Sequence, residues 1–190
     1  MAKVAVVYHS GYGHTQRQAE AVREGAASTP GASAQLISVA DADKHWEDLA
    51  AADAIVFGAP TYMGSLSAPF KEFMDKSSKA WFTQDWKDKL AAGFTNSGSQ
   101  SGDKLNSLVQ LMVFAGQQSM IWVSLGLMPG NNSSKGSAAD LNRVGSYSGA
   151  MAQSNVDQGA EAMSESDLAT ARALGRRVAE KALQFVRGKA

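Results

Sequence analysis

The chain of 190 residues contains 18 Lys plus Arg, 18 Asp plus Glu and no cysteine, and 44% of its residues are hydrophobic. A domain holds about 150 residues, so this length predicts a single domain over residues 1–190, and the lack of cysteine excludes disulfides, thiolate metal sites and a thiol nucleophile. The formal net charge is zero, so the chain has no broad positive field to attract a polyanion, and no nucleic-acid binding is expected.

No segment has the pattern of a secretion signal or a membrane span. The apolar run at residues 4–8 is shorter than the roughly 7–15 residues of a signal core, and no stretch approaches the ~18 apolar residues of a transmembrane helix. We therefore expect a cytoplasmic protein that is not inserted in a membrane. No metal site is predicted.

Five short apolar runs predict the strands of a parallel sheet. Residues 4–8 are apolar at every position rather than at alternate ones, which is typical of a strand that helices cover on both faces. Residues 34–39 form a weaker run, as expected at a sheet edge. The five predicted strands span residues 4–8, 34–39, 54–57, 92–95 and 120–123.

Stretches with helical spacing alternate with these strands. Residues 68–78 have Pro69 in the first turn, where proline is favoured, and residues 164–167 have the spacing of a capping box that starts the last helix. This alternation predicts an α/β fold with helices on both faces of the sheet. The predicted helices span residues 15–28, 68–78 and 104–115, with the last one starting at residue 164.

Residues 124–163 interrupt the alternation. They hold six Gly, seven Ser and four Asn, and no element of regular length is evident. Loops of this length in compact domains are commonly lids or linkers. Because Tyr147, Met151 and Met163 offer anchors, we predict an ordered loop that caps an active site or an oligomer contact.

The first predicted strand ends in a loop with the composition of an anion site. Gly11 and Gly13 allow a tight turn, Ser10 and Thr15 supply hydroxyls, and the next helix offers unpaired amides. The loop lacks the lysine of a nucleotide-hydrolysing P-loop and the third glycine of a dinucleotide fingerprint. A cradle of uncharged donors best suits a terminal monophosphate such as that of FMN.

Two further polar loops follow the third and fourth predicted strands. Residues 58–64 include Pro60 and Gly64, and residues 96–102 are small and polar throughout. Ligands of parallel sheets collect at the carboxyl ends of the strands, so all three loops are expected at one edge. The second and third loops together suit a flat heteroaromatic ring with carbonyls along one side.

These loops resemble those of the WrbA group of flavodoxin-like NAD(P)H:quinone oxidoreductases, also called tryptophan-repressor-binding proteins. The resemblance covers nearly the whole chain, and its specific parts are residues 8–15, 57–64 and 94–102. It implies a doubly wound, five-stranded parallel sheet, FMN as cofactor, NADH or NADPH as co-substrate and a quinone as electron acceptor. It also implies a homotetramer, or a dimer, whose subunits jointly wall each active site.

The resemblance assigns site residues by matching positions. Tyr12 and Trp81 would line the substrate pocket. The phosphate is assigned to Ser10, Gly11, Tyr12, Gly13, His14 and Thr15, the flavin ring to Pro60, Thr61, Tyr62, Met63 and Gly64, and the ring edge to Asn96, Ser97, Gly98, Ser99, Gln100 and Ser101.

Two positions depart from the family pattern. Gln118 stands where the family has a histidine near the flavin, and an amide donates a hydrogen bond but does not titrate near neutral pH. Tyr62 stands where the family has an arginine in the ring loop. No catalytic residue is therefore assigned; Gln118 is the candidate for that position, and it is also assigned to the residues that contact the flavin.

The remaining aromatic residues are divided between packing and surface contact. Trp46 and Trp86 are expected to be packing residues rather than flavin partners. Trp81, Phe82 and Trp86, together with residues 124–163, are also expected to expose more apolar surface than a small monomer covers, which favours oligomerisation.

Two other functions stay open. The first is a flavodoxin that carries single electrons between protein partners; residues 58–64 and 96–102 contain no acidic residue, whereas such carriers usually present an acidic face around the flavin. The second is a flavin-binding regulatory protein, which only the historical family name suggests.

Overall fold

The computed structural model describes residues 1–188. These residues form the predicted α/β fold, with seven strands, six α-helices and two short 3₁₀ segments, Val39–Lys44 and Ala160–Ala162. The strands are β1 (Ala2–Tyr8), β2 (Ala32–Ser38), β3 (Ala54–Tyr62), β4 (Ser65–Leu66), β5 (Leu90–Ser97), β6 (Ile121–Trp122) and β7 (Ala150–Gln153). The helices are α1 (His14–Ala27), α2 (Trp46–Ala51), α3 (Ala68–Lys76), α4 (Ser78–Thr83), α5 (Lys104–Gln117) and α6 (Glu165–Gly188).

The four longest strands form a parallel sheet in the order β2, β1, β3, β5. Strands β1 and β3 lie inside the sheet and are buried along most of their length, as expected for runs that are apolar on both faces. Strand β2 lies at the edge and is mostly half-buried, which confirms its predicted place. The loops that follow β1, β3 and β5 therefore leave the sheet at the same edge.

Helices cover both faces of the sheet. One core cluster joins the sheet to α1 and α6 and includes Val22 and Leu174. The second joins it to α3 and α5 and includes Phe73 and Leu111. Among residues 1–188, no helix is both long enough and apolar enough to cross a bilayer.

The expected count of five strands is wrong, because the fifth position of the sheet is divided. Strand β6 pairs with the start of β5 at Leu90, and β7 pairs with its end at Phe94. The chain leaves the sheet after Trp122 at the end of β6 and returns at Ala150 to continue alongside the same strand. The other additional strand, β4, is a two-residue antiparallel partner of β3.

The long polar segment is more regular than its composition indicates. Its residues 150–153 form β7, in which Ala150 and Ala152 are buried against the core. Before β7, the buried Asn142 accepts the Ser146 N–H at 2.9 Å and donates to the Ser146 carbonyl at 2.8 Å. The backbone N–H of Asn142 also donates to Thr170 Oγ1 at 2.8 Å, which attaches the segment to α6.

The last helix begins one residue after Ser164, as predicted, but the capping interaction differs. The Asp167 carboxylate accepts hydrogen bonds from Arg143 instead of reaching back to the helix start. Ser164 Oγ lies 2.8 Å from Ser166 Oγ. A tertiary ion pair thus replaces the local capping box.

Trp46 and Trp86 are packing residues, as expected. Trp46 stacks on Phe73 with 5.6 Å between the ring centroids, and Trp86 lies 6.4 Å from Trp46 in the same aromatic cluster. Trp86 is fully buried, so the expectation that it adds to an exposed apolar surface is wrong. Trp81 and Phe82 do lie at the surface, with 48% and 81% of their areas exposed.

Candidate functional site

A cleft of about 760 Å³ lies at the carboxyl edge of the sheet, where the loops after β1, β3 and β5 meet. This volume is within the range of roughly 300–1,000 Å³ that small-molecule sites occupy. Its lining residues are Ser10, Tyr12, His14, Thr15, Pro60, Thr61, Tyr62, Asn96, Ser97, Gly98, Ser154, Asn155, Val156, Asp157 and Gln158. We call this space the strand-end cleft.

The loop after β1 leaves the start of α1 open for an anion. Gly13 has φ of +90°, a left-handed conformation that glycine adopts without a Cβ clash, and its N–H donates to Ser10 Oγ at 3.0 Å. Within residues 1–188, no side chain caps α1 and the N–H groups of its first three residues have no hydrogen-bond partner, so they are open at the positive end of the helix. Residues 9–16 contain no Lys or Arg, and the site therefore relies on amides and hydroxyls.

The second predicted loop is mostly strand. Strand β3 runs through Tyr62, which pairs with Ser65 of β4, and only Met63 and Gly64 form the turn. Both have positive φ, +49° and +76°, as a two-residue hairpin turn of type I′ requires. This tight hairpin places Thr61 and Tyr62 in the cleft, while the Met63 side chain is fully exposed.

Tyr62 joins the first two loops. Its hydroxyl lies against Gly11, where an added Cβ would come within 2.6 Å of the hydroxyl oxygen, so a larger residue at position 11 would displace the Tyr62 side chain. Partial burial raises the pKa of Tyr62, with the nearby Tyr12 adding to the effect. The rings of Tyr12 and Tyr62 meet edge to face at 6.5 Å, and both lie at the cleft.

Buried hydroxyls hold the floor of the cleft together. Thr61 Oγ1 lies 2.7 Å from Thr95 Oγ1 and 2.8 Å from Ser107 Oγ, linking β3, β5 and α5. Asn96 exchanges hydrogen bonds with Ser154, donating at 2.7 Å and accepting at 3.1 Å. These contacts fix the ends of the strands before any ligand is present, so the cleft is largely preformed.

A fourth wall of the cleft comes from the long polar segment 124–163, for which the sequence predicts a capping role without indicating individual residues. Residues 154–158 follow β7, and His14 Nε2 contacts the Gln158 carbonyl at 2.9 Å. Asp157 in this wall is the one carboxylate among the lining residues described, which include no Lys or Arg. Because β7 is parallel to β5, the residues that follow it lie at the same carboxyl edge of the sheet as the other three loops. Their position could be expected only once β7 was recognised as a strand.

Not every predicted residue faces the strand-end cleft. Met63, Gly64 and Ser99 line its shallow extension, which shares Thr61, Ser97 and Gly98 with it. Gln100 and Ser101 line a separate cavity beside α5.

Trp81 and Gln118 also lie elsewhere, in a second cleft of about 830 Å³ between α3 and α5. Gln118 is buried there and donates to Ser77 Oγ at 2.8 Å, while its Oε1 has no hydrogen-bond partner within residues 1–188. Neither side chain is brought to the strand-end cleft of its own chain.

His9 is placed for a structural role. Its Nδ1 lies 2.8 Å from Ser67 Oγ at the start of α3, and burial lowers the pKa of the imidazole. His45 likewise contacts Asp48 at 2.7 Å, away from the cleft. Of the three histidines, only His14 lines the cleft.

The sheet order β2, β1, β3, β5, completed by β6 and β7, is the order 2-1-3-4-5 of the flavodoxin-like fold, in which ligands bind at the carboxyl edge of the sheet. Residues 3–127 match the family model of NADPH-dependent FMN reductases, and the chain belongs to that family. It is 46% identical, over 94% of its length and 96% of the other chain, to flavodoxin FldP of Pseudomonas aeruginosa. It is 33% identical to an NAD(P)H dehydrogenase (quinone) of Geobacter sulfurreducens, over 96% and 98% of the two chains.

A solved structure supports the same assignment. The flavodoxin, WrbA-like protein from Agrobacterium tumefaciens superimposes with a TM-score of 0.77 at 46% identity, covering 97% of this chain and 99% of the other. The resemblance to WrbA-like, flavodoxin-fold proteins is thereby confirmed.

Proposed function

We propose that this protein binds FMN in the strand-end cleft and uses it to transfer two electrons from NADH or NADPH to a quinone. The observation that carries this proposal is the meeting of the uncapped start of α1 with two neighbouring strand ends in one preformed cleft. Family membership and the relatives named as quinone dehydrogenases support the same reaction.

The chemistry of the lining residues fits FMN. A phosphate is favoured at the unpaired amides of α1, and the hydroxyls of Ser10 and Thr15 stand beside them. The ring is assigned to the space between Pro60, Thr61 and the loop after β5, where amide and hydroxyl donors suit its carbonyl edge. When bound, FMN supplies the hydride-accepting and hydride-donating chemistry, while the protein orients it and limits solvent access.

The entrance of the cleft offers aromatic surface for a flat substrate. Tyr12 is 81% exposed and Tyr62 is partly exposed, and both lie at the cleft. Aromatic faces of this kind stack on planar rings such as nicotinamide and quinone. The chain's own contribution to the reaction is therefore binding and orientation, without a titrating side chain assigned to proton transfer.

We also infer that the protein works as a homotetramer or dimer. Trp81 and Gln118 lie outside the strand-end cleft of their own chain, so they could line a flavin site only in a neighbouring subunit. Exposed Trp81 and Phe82 beside that second cleft support such a contact.

Subunit mixing tests this arrangement. Gly13→Asp, which puts a carboxylate in the phosphate loop, and Trp81→Ala should each be poorly active alone, and hybrids formed from the two should regain activity. Lack of any recovery in hybrids verified by mass spectrometry would argue that each chain acts alone.

The reaction itself is tested by steady-state kinetics. Under anaerobic conditions, FMN-loaded protein should oxidise more than one equivalent of NADH or NADPH only when 1,4-benzoquinone is added, with one nicotinamide oxidised per quinone reduced. Protein that binds FMN but shows no quinone-dependent oxidation of either nicotinamide would overturn the proposal.

A one-electron carrier is the second candidate, favoured by the name flavodoxin on a relative that is 46% identical. A potentiometric titration of the FMN-loaded protein separates the two functions. The oxidoreductase should take up both electrons in a single two-electron transition, whereas two well-separated one-electron transitions and no nicotinamide oxidation would favour the carrier.

A further inference from the structure

Lys104 is a fully buried lysine directly behind the loop that follows β5. Its ammonium donates three hydrogen bonds, to Ser97 Oγ at 2.8 Å and to the carbonyls of Ser99 at 2.7 Å and Gln100 at 2.8 Å. Because an ammonium has three donors, all of them are satisfied. Within residues 1–188, Lys104 forms no direct ion pair.

Its position is unfavourable for a cation in two ways. Burial without a paired carboxylate penalises the charged form, and this desolvation lowers the pKa of Lys104 to about 8. Lys104 is also the first residue of α5, where the helix dipole disfavours positive charge. The charged groups that act on it are Asp167, which favours the ammonium, and Arg143, which opposes it.

The three hydrogen-bond acceptors of Lys104 all lie at the end of β5 or in the loop that follows it, next to the cleft. Ser97 lines the strand-end cleft, and Ser99 lines its extension. Lys104 therefore holds a polar loop in one conformation from behind, with its charge one hydrogen bond away from a residue that faces the cleft. The loop turns tightly there, since Gly102 has φ of +54° and a Cβ on it would overlap Ser97 Oγ.

We propose that Lys104 is a positioning residue that holds the loop after β5 as a preformed wall of the FMN site and makes that wall electropositive, so that reduced FMN binds in preference to oxidised FMN. Two-electron reduction adds negative charge to the ring, and a fixed positive charge nearby stabilises that state. This inference rests on the proposed FMN site, but not on which nicotinamide or quinone is used.

The test compares the midpoint potential of bound FMN in wild type, Lys104→Met and Lys104→Arg, alongside the dissociation constant for oxidised FMN. In Lys104→Met, the ratio of the affinity for reduced FMN to the affinity for oxidised FMN should fall about tenfold. For a two-electron couple, this lowers the midpoint potential by about 30 mV. Lys104→Arg, which keeps the charge, should stay closer to wild type. Lys44→Met is the control, because it removes a lysine whose side chain is 75% exposed, and its potential should match wild type.

A merely structural role would weaken FMN binding in Lys104→Met equally for both oxidation states and leave the potential unchanged, and that result overturns the inference. If Lys104→Met does not fold, the wild type still decides the matter. Its potential should fall more steeply with pH above about 8, where the lysine loses its proton in the oxidised protein. A slope that does not change there would also overturn the inference, whereas a wild type that binds no FMN would refute the proposed function instead.

Discussion

Arg143 and Asp167 form a two-point ion pair that ties the long polar segment to the first turn of α6. Arg143 Nε and Nη2 donate to the two carboxylate oxygens at 2.8 and 2.6 Å, with only 11% of the Arg143 side chain and 1% of the Asp167 side chain exposed. The same carboxylate accepts the backbone N–H of Gln153 at 3.0 Å. Gln153 is the last residue of β7, so the pair anchors the strand from which the fourth wall of the cleft emerges.

Asp167→Asn should therefore destabilise the fold by about 3–5 kcal/mol, since it leaves the buried Arg143 guanidinium without its counter-charge. Urea unfolding followed by circular dichroism measures this loss. Asp75→Asn provides the matched control, because Asp75 pairs with Lys71 on the surface and both side chains are more than half exposed. A loss as small for Asp167→Asn as for the control would show that the buried pair does not anchor the segment.

Thr15→Val should weaken FMN binding while leaving riboflavin binding almost unchanged. Thr15 is buried in the first turn of α1 and lines the cleft, where its hydroxyl is assigned to the phosphate that only FMN carries. A hydrogen bond to a charged group contributes about 1.5–3 kcal/mol, which corresponds to roughly tenfold or more in affinity. Quenching of flavin fluorescence measures both ligands. Equal losses for FMN and riboflavin would contradict the assignment of the phosphate to α1.

Gly58→Ala should destabilise the protein, because a Cβ at Gly58 in β3 would overlap the ring of Phe94 in β5. Overpacking of this kind costs about 1–3 kcal/mol. Gly116→Ala is the matched control: Gly116 lies in α5, no atom of residues 1–188 outside the neighbouring helix backbone stands within 4 Å of its added Cβ, and alanine is favoured over glycine in a helix by about 1 kcal/mol. Thermal unfolding should thus move in opposite directions for the two variants. A shift in the same direction would contradict the close approach of Gly58 and Phe94.

The stability of the protein should depend on pH through Lys104. Its folded-state pKa of about 8 lies below the ordinary value of 10.5, so the unfolded chain binds more protons between these two values. The free energy of unfolding of wild type, measured relative to Lys104→Met, should therefore rise as the pH increases from 8 to 10. Comparison with the variant cancels the other titrating groups. A difference that stays constant or falls over this range would show that Lys104 is not a desolvated cation.

The central strands and their loops could be predicted because local sequence determines them. Residues 4–8 and 54–57 are apolar at every position, which suits a strand buried on both faces, and glycine and hydroxyl residues mark the turn that follows β1. The edge at which the loops meet follows from the parallel arrangement alone.

The rest depends on partners that are distant in sequence. Residues 150–153 become a strand because the end of β5 needs a hydrogen-bonding neighbour, although alanine has little strand preference. Asp167 leaves its predicted capping role because Arg143, 24 residues earlier, supplies a stronger partner. A lysine at the start of a helix is ordinarily exposed, and the burial of Lys104 is possible only because carbonyls of the folded loop accept its hydrogen bonds.

Anaerobic mixing of the FMN-loaded protein with nicotinamide and quinone tests the proposed function most directly. One equivalent of NADH or NADPH should fully bleach the yellow absorbance of the bound flavin, and one equivalent of 1,4-benzoquinone should then restore it. Absorbance that neither nicotinamide removes, in protein whose flavin dithionite still reduces, would contradict the assignment of this cleft to NAD(P)H:quinone oxidoreduction.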